Sequence, residues 1–169
     1  MNDDLKQIKV YHNIAPVFDK NSKILVLGSF PSVKSRETTF FYGHKQNRFW
    51  KVLSYVFECD VPETIDEKKD LLLKNNIALW DVIKSCEIAG SSDNSIKNVV
   101  PNDISIITKT SKIRAILLNG KTSFFYYNKF IKPLYNIKSY CMSSTSPANA
   151  SRKLDDLCHE WKSTIKMII

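Results

Sequence analysis

The chain has 169 residues, enough for one domain with a real core and too few for two of ordinary size. Its 43% hydrophobic and 25% charged residues are globular proportions that exclude wholesale disorder. No apolar run approaches the roughly 20 residues that cross a bilayer, and the start, Met-Asn-Asp-Asp, has neither a basic nor an apolar leader region, so an intracellular, cytoplasmic protein without a membrane partner is expected.

Net charge is +8 and unevenly spread. Residues 1–59 carry nine bases and five acids, residues 60–110 six and nine, and residues 111–169 ten and three. Two basic ends around a mildly acidic middle favour a polyanionic partner, nucleic acid above all. The cysteines Cys59, Cys86, Cys141 and Cys158 lie 27, 55 and 17 residues apart without a Cys-x-x-Cys pair. They read as reduced core residues, with neither a metal nor an iron–sulfur cluster expected.

The first element is a buried strand over Ile24–Leu27, an unbroken aliphatic run, followed by Gly28-Ser29-Phe30-Pro31-Ser32. Phe40-Phe41-Tyr42 then precede a helix over Asn47–Phe57, whose Phe49, Trp50, Val52, Leu53, Val56 and Phe57 share one face. Thr64 and Glu67 have the spacing of a capping box ahead of Leu71–Leu73. A second strand over Ile77–Trp80 ends in Asp81, Pro101–Lys109 reads as a helix, and a third strand over Ile113–Leu118 ends in Asn119-Gly120. After a helix over Lys121–Ile131 and a fourth strand over Ile137–Met142, the polar loop 143–151 leads into a last helix. There Leu154, Leu157, Cys158, Trp161, Ile165 and Ile168 keep helical spacing behind a Ser151 cap.

Strands alternating with helices predict an α/β domain spanning 1–169, a three-layer αβα arrangement around a central four-stranded, mainly parallel sheet. Ligands in such sheets bind beyond the carboxyl ends of the strands, which here all stop in small or polar residues. The loop Gly28–Ser32 admits close backbone approach to a ligand, or is an ordinary turn; it lacks the Gly-Lys-Ser/Thr of a P-loop. Phe40, Phe41 and Tyr42 suit a platform for stacking a base. Asn47 is either a helix cap or a polar site residue, and Asn119 is an amide ending a buried strand, where it needs partners. The hydroxyl-rich loop Ser143–Ser151 carries no acid and suits phosphate. His12, His44 and His159 are scattered without metal-ligand spacing.

In this order the motifs Gly28-Ser29-Phe30-Pro31-Ser32, Asn47-Arg48-Phe49-Trp50, Leu79-Trp80-Asp81-Val82, Gly90-Ser91-Ser92-Asp93, Leu118-Asn119-Gly120 and Ser144-Thr145-Ser146-Pro147-Ala148-Asn149 resemble the uracil-DNA glycosylase superfamily. The branch most similar is that of the hypoxanthine-DNA glycosylases. The Asn-Arg-Phe-Trp string is shared with mismatch-specific uracil glycosylases, while the serine after Gly28 and the Ser-Thr-Ser-Pro-Ala-Asn loop point to the hypoxanthine branch. Family-1 uracil enzymes differ: Phe30 stands where their activating acid would be, and Ser144 where they carry a histidine.

The resemblance implies a monofunctional DNA glycosylase of base excision repair. Such an enzyme flips a deaminated base, most characteristically hypoxanthine, from the duplex and hydrolyses its N-glycosidic bond without a cofactor. It implies Asn47 as the group positioning water or the reacting centre and Asn119 as the grip on the base edge. Gly28, Ser29, Phe30, Pro31, Ser32, Tyr42 and Asp81 would form the base pocket. Ser144, Thr145 and Ser146 would clasp phosphate, Pro147 would belong to the same DNA-binding loop, and Ala148 and Asn149 would enter the minor groove to fill the gap left by the base. Lys121, Arg152 and Lys153 are the nearest cationic phosphate contacts. A monomer acting on DNA is expected; a uracil or mismatch glycosylase, or a silent DNA-binding module of the same fold, are the alternatives.

Overall fold

The computed structural model describes residues 6–169; the acidic start at 1–4 lies outside the described residues. In chain order the elements are β1 (Ile8–Tyr11), β2 (Ile24–Gly28), α1 (Val33–Thr38), α2 (Phe49–Phe57), α3 (Ile65–Lys74), β3 (Ile77–Asp81) and β4 (Ile83–Ile88). They continue with β5 (Lys97–Pro101), α4 (Ser105–Thr108), β6 (Ala115–Asn119), α5 (Lys121–Phe130), β7 (Lys138–Met142) and α6 (Leu154–Ile168).

The four apolar runs form one parallel sheet in the order β3-β2-β6-β7. Every residue of β2 and β3, and Ala115–Leu118 of β6, is buried, which requires cover on both faces and produces the three-layer α/β arrangement. The register brings the strand ends level: Gly28 pairs with Asp81, Leu27 with Leu118, and Asn119 with Met142. Asp81 and Asn119 therefore open onto one edge on either side of the glycine that ends β2. Helix α2 packs on α6, with Phe49 edge-on to the fully buried Trp161 at 5.9 Å.

A second, antiparallel sheet in the order β1-β4-β5 was not expected from the sequence. Its strands are short, and β1 and β5 bury almost nothing, so they lack the continuous apolar runs that mark the parallel sheet. Pro101 accordingly ends β5 rather than opening a helix, and the helix expected at Pro101–Lys109 shrinks to the single turn of α4. Helix α1 was missed as well; Ser32 caps it by accepting from the Ser35 N–H at 3.1 Å.

The capping box of α3 is present, with Thr64 Oγ1 accepting from Glu67 N–H and Glu67 Oε2 from Thr64 N–H, each at 3.1 Å. Helix α6 is capped differently from expectation. Lys153, not Ser151, occupies the cap, and its N–H donates to Asp156 Oδ2 at 3.2 Å, while Ser151 turns back to Asn149 Oδ1. Cys86 and Cys158 are buried as expected, but Cys59 and Cys141 are exposed; all four are free. No helix among the described residues is long and apolar enough to cross a membrane.

Candidate active site at the carboxyl edge of the parallel sheet

The level strand ends and the loops that follow them enclose a cavity of about 300 Å³. One wall is Gly28–Ser32, the opposite wall Ser144–Ala148, and between them lie Tyr42, Asn47, Asp81, Asp93 and Asn119. Sequence positions up to 120 apart thus meet here because parallel strands deliver their carboxyl ends to one edge.

Four side chains form a directed hydrogen-bond chain. Thr145, fully buried, donates its hydroxyl to Asn47 Oδ1 at 3.0 Å and accepts from Asn119 Nδ2 at 3.0 Å. The second hydrogen on Asn119 Nδ2 goes to Tyr42 Oη at 3.0 Å, and Asn119 Oδ1 accepts from the Thr145 N–H at 3.0 Å. Asn47 Oδ1 also accepts from the Phe49 N–H at 3.0 Å. Two donors at one oxygen fix the orientation of the Asn47 amide, so Nδ2 is the end left for the cavity. The N-cap of α2 is Arg48, so Asn47 is not the helix cap: it stands one residue ahead of it, holds the Phe49 N–H in a local turn and lines the cavity.

Tyr42 lies flat on Phe49, with centroids 4.1 Å apart, and its backbone adopts φ 53°, in the left-handed region that aromatic residues rarely enter. Burial, and then the nearby Asp81 charge, push its phenol far above the ordinary range against the opposing Asn119 hydrogen bond, so it stays protonated. Phe40 and Phe41 are core residues rather than an open platform. Phe40 stacks on Trp50 and both are nearly fully buried, with only Phe41 reaching the cavity wall.

At the floor, Asp81 Oδ2 pairs with His12 Nε2 at 2.7 Å, and both side chains are almost wholly buried. A Cβ on Gly28 would collide with Asp81 Oδ1 and lie 3.1 Å from Tyr42 Oη, so only glycine leaves room for the carboxylate. Asp93 sits at the mouth. Desolvation raises its carboxyl pKa above the ordinary value, with Thr122 and Ser29 hydroxyls opposing the shift and the Asp81 charge adding to it.

A family model of the uracil DNA glycosylase superfamily matches residues 15–166. The chain belongs to the uracil DNA glycosylase superfamily. Its similarity extends to a hypoxanthine DNA glycosylase of Methanosarcina barkeri, 32% identical over 156 residues covering 89% of this chain and 95% of the relative. A hypoxanthine DNA glycosylase of Methanosarcina acetivorans is 32% identical over 152 residues, covering 89% of this chain and 94% of the relative. The solution NMR structure of a candidate uracil DNA glycosylase from Methanosarcina acetivorans superposes with a TM-score of 0.81 at 27% identity, covering 95% of this chain and 99% of that one. The protein is thus a DNA glycosylase, a DNA-repair hydrolase whose substrate is DNA.

The glycosylase presents its second motif differently from expectation. Thr145 cannot clasp phosphate, because its side chain is buried inside the hydrogen-bond chain. Pro147 and Ala148 are exposed at the tip, whereas Asn149 folds back to donate from Nδ2 to Ser144 O at 3.0 Å. Arg152 is ion-paired to Glu160 at 2.7 Å, which leaves Lys121 and Lys153 as the exposed cations beside the loop.

Arg48 organises this loop. Its guanidinium donates to the carbonyls of Thr145, Ser146, Asn149 and Arg152, and its backbone N–H to Thr145 O at 3.1 Å. One planar fork holding four carbonyls locks the loop against α2, a task that lysine's point charge cannot reproduce. Sequence reading missed Arg48 as a loop anchor, and it missed His12 because 69 positions separate it from Asp81. The pairing signal for Asp81 was nevertheless present, since a polar strand end beside a glycine strand end marks a space that a side chain can fill. Among the described residues no cluster of three or more His, Cys, Asp or Glu stands ready to hold a metal.

Proposed function

We propose that this glycosylase releases hypoxanthine from deoxyinosine in DNA by hydrolysis, leaving an intact abasic strand. The observation that supports the chemistry is the Asn47 amide, its oxygen saturated by Phe49 N–H and Thr145 O–H and its Nδ2 hydrogens without a partner among the described residues. Breaking the N-glycosidic bond leaves negative charge on the departing base and positive charge on the sugar. A fixed amide donor aimed into the cavity stabilises that negative charge as it develops, without reorganising. With its oxygen occupied, Asn47 does not accept from a water molecule, so its role is at the leaving base rather than at the nucleophile.

Tyr42, Asn119 and the Gly28–Ser32 wall complete the pocket. Asn119 acts by position: both its hydrogens are spent on Tyr42 and Thr145, so it holds those two residues instead of gripping the base. The exposed Pro147-Ala148 tip fills the gap in the stack, and Ser144, Ser146, Lys121 and Lys153 lie along the phosphate path. The names of the two Methanosarcina relatives support hypoxanthine as the base.

Uracil is the second reading, supported by the description of the structural neighbour. The test uses end-labelled duplexes carrying one inosine or one uracil, treated with alkali after incubation and, in parallel, with borohydride during it. Alkali-dependent cleavage at inosine with no trapped adduct is expected; cleavage at uracil alone refutes the hypoxanthine reading, and a trapped adduct refutes hydrolysis by water.

A further inference from the structure

His12 has no place in the hydrogen-bond chain described above, yet its side chain is only 3% exposed. Its backbone N–H is tied to Lys84 O at 2.7 Å, and its ring is wedged among Phe30, Phe41 and Trp80 with centroids 6.1–6.2 Å away. Nδ1 accepts from the Ile14 N–H at 3.2 Å, so the ring proton resides on Nε2, where it is donated to Asp81 Oδ2 at 2.7 Å. One carboxylate oxygen is consumed and the rotation of the group is stopped. The other oxygen, Oδ1, has no donor among the described residues and stands over Gly28 beside Tyr42 Oη at the cavity floor.

We infer that His12 is a positioning residue that converts Asp81 into a single fixed acceptor, and that this acceptor selects bases carrying a ring N–H beside a carbonyl. The inference rests on the hypoxanthine reading and adds the group that recognises the base. Hypoxanthine offers N1–H to Oδ1. Adenine presents a bare N1 lone pair there, which a carboxylate repels and leaves unpaired. Guanine carries N1–H together with a 2-amino group, a two-donor edge that matches a carboxylate with both oxygens free; with Oδ2 held by His12, that second pairing is denied. The negative charge of Asp81 does not help the base to leave, so this oxygen serves selection while Asn47 Nδ2 faces the developing charge.

The experiment compares single-turnover release from duplexes containing deoxyinosine and deoxynebularine, the purine nucleoside with a bare N1 and no carbonyl. The ratio of the two rates cancels folding losses, and comparing that ratio between enzymes cancels the intrinsic leaving-group difference. In Asp81→Asn the Nε2–H of His12 retains the amide oxygen and turns the NH₂ toward the cavity, so the inosine-to-nebularine ratio falls about 10- to 100-fold, the worth of one charged hydrogen bond. His12→Ala lowers the ratio by part of that amount, and His12→Gln, which keeps an N–H for Oδ2, restores it. A wild-type enzyme active on inosine whose ratio is unmoved by Asp81→Asn and His12→Ala overturns the inference alone, because a merely structural pair lowers melting temperature and both rates together. A wild-type enzyme inert on inosine overturns the hypoxanthine reading and this inference with it.

Discussion

Gly28 and Asp81 end two neighbouring parallel strands directly opposite one another, and the Asp81 carboxylate occupies the space that a side chain on Gly28 would take. The glycine is thus required by its neighbour rather than by its own dihedral angles. Gly28→Ala drives a methyl group against an oxygen that His12 prevents from swinging away, and overpacking of this kind costs about 1–3 kcal/mol. A melting temperature lowered accordingly, with turnover per folded molecule reduced further, is the expected result; wild-type turnover would show that the carboxylate moves freely.

Asn47 holds two duties that substitution can separate. Asn47→Ala removes the acceptor of the Phe49 N–H, costing about 0.5–1.5 kcal/mol for one lost hydrogen bond, and also the amide donor, whose loss lowers the chemical rate by about 100- to 1,000-fold. Asn47→Asp keeps an acceptor for Phe49 and Thr145 but replaces the donor with a charge of the wrong sign. It therefore retains the wild-type melting temperature while turnover falls at least as far as in Asn47→Ala. Turnover that survives in Asn47→Asp would place the catalytic contribution at the oxygen instead.

Arg48 carries the second motif on its guanidinium, so its loss is felt at residues 145–152 rather than locally. Arg48→Ala should raise amide hydrogen exchange across that loop and weaken duplex binding while leaving the exchange of β2 and β6 unchanged. Arg48→Lys should recover little, because an ammonium cannot bond four carbonyls in a planar fork. Unchanged loop exchange in Arg48→Ala would remove its anchoring role.

Duplex affinity should fall with salt. Each phosphate contact adds about 0.9 to the logarithmic slope, so Lys121→Ala and Lys153→Ala should each flatten it by up to that amount. Arg152→Ala should change it less, since Glu160 already neutralises the guanidinium. Binding titrations across a salt series decide this, and a slope unaffected by either lysine would move the phosphate path elsewhere.

The central sheet was legible because full burial of β2, β3 and β6 forces continuous apolar runs with polar residues at their ends. The antiparallel sheet was not, since strands as short and exposed as Ile8–Tyr11 have too few apolar residues to stand out and take their place from pairing with β4. The site was legible to the level of which loops converge. Hydrogen-bond direction was not: Thr145 reads as a surface hydroxyl among other hydroxyls, and only its burial between Asn47 and Asn119 turns it into the pin of the pocket. His12 leaves no trace in sequence, because its role depends on a partner across the sheet boundary.

The most direct measurement is the identity of the base set free when purified enzyme is incubated in excess over duplexes carrying a single deoxyinosine, deoxyuridine or unmodified deoxyadenosine, with the products resolved by mass. Free hypoxanthine, with an intact abasic strand and no adenine, is the result expected if, as proposed, the Asn47 amide held by Phe49 and Thr145 serves the departing base and the Asp81 carboxylate held by His12 selects it. Release of uracil alone, with the deoxyinosine duplex recovered whole, would contradict it.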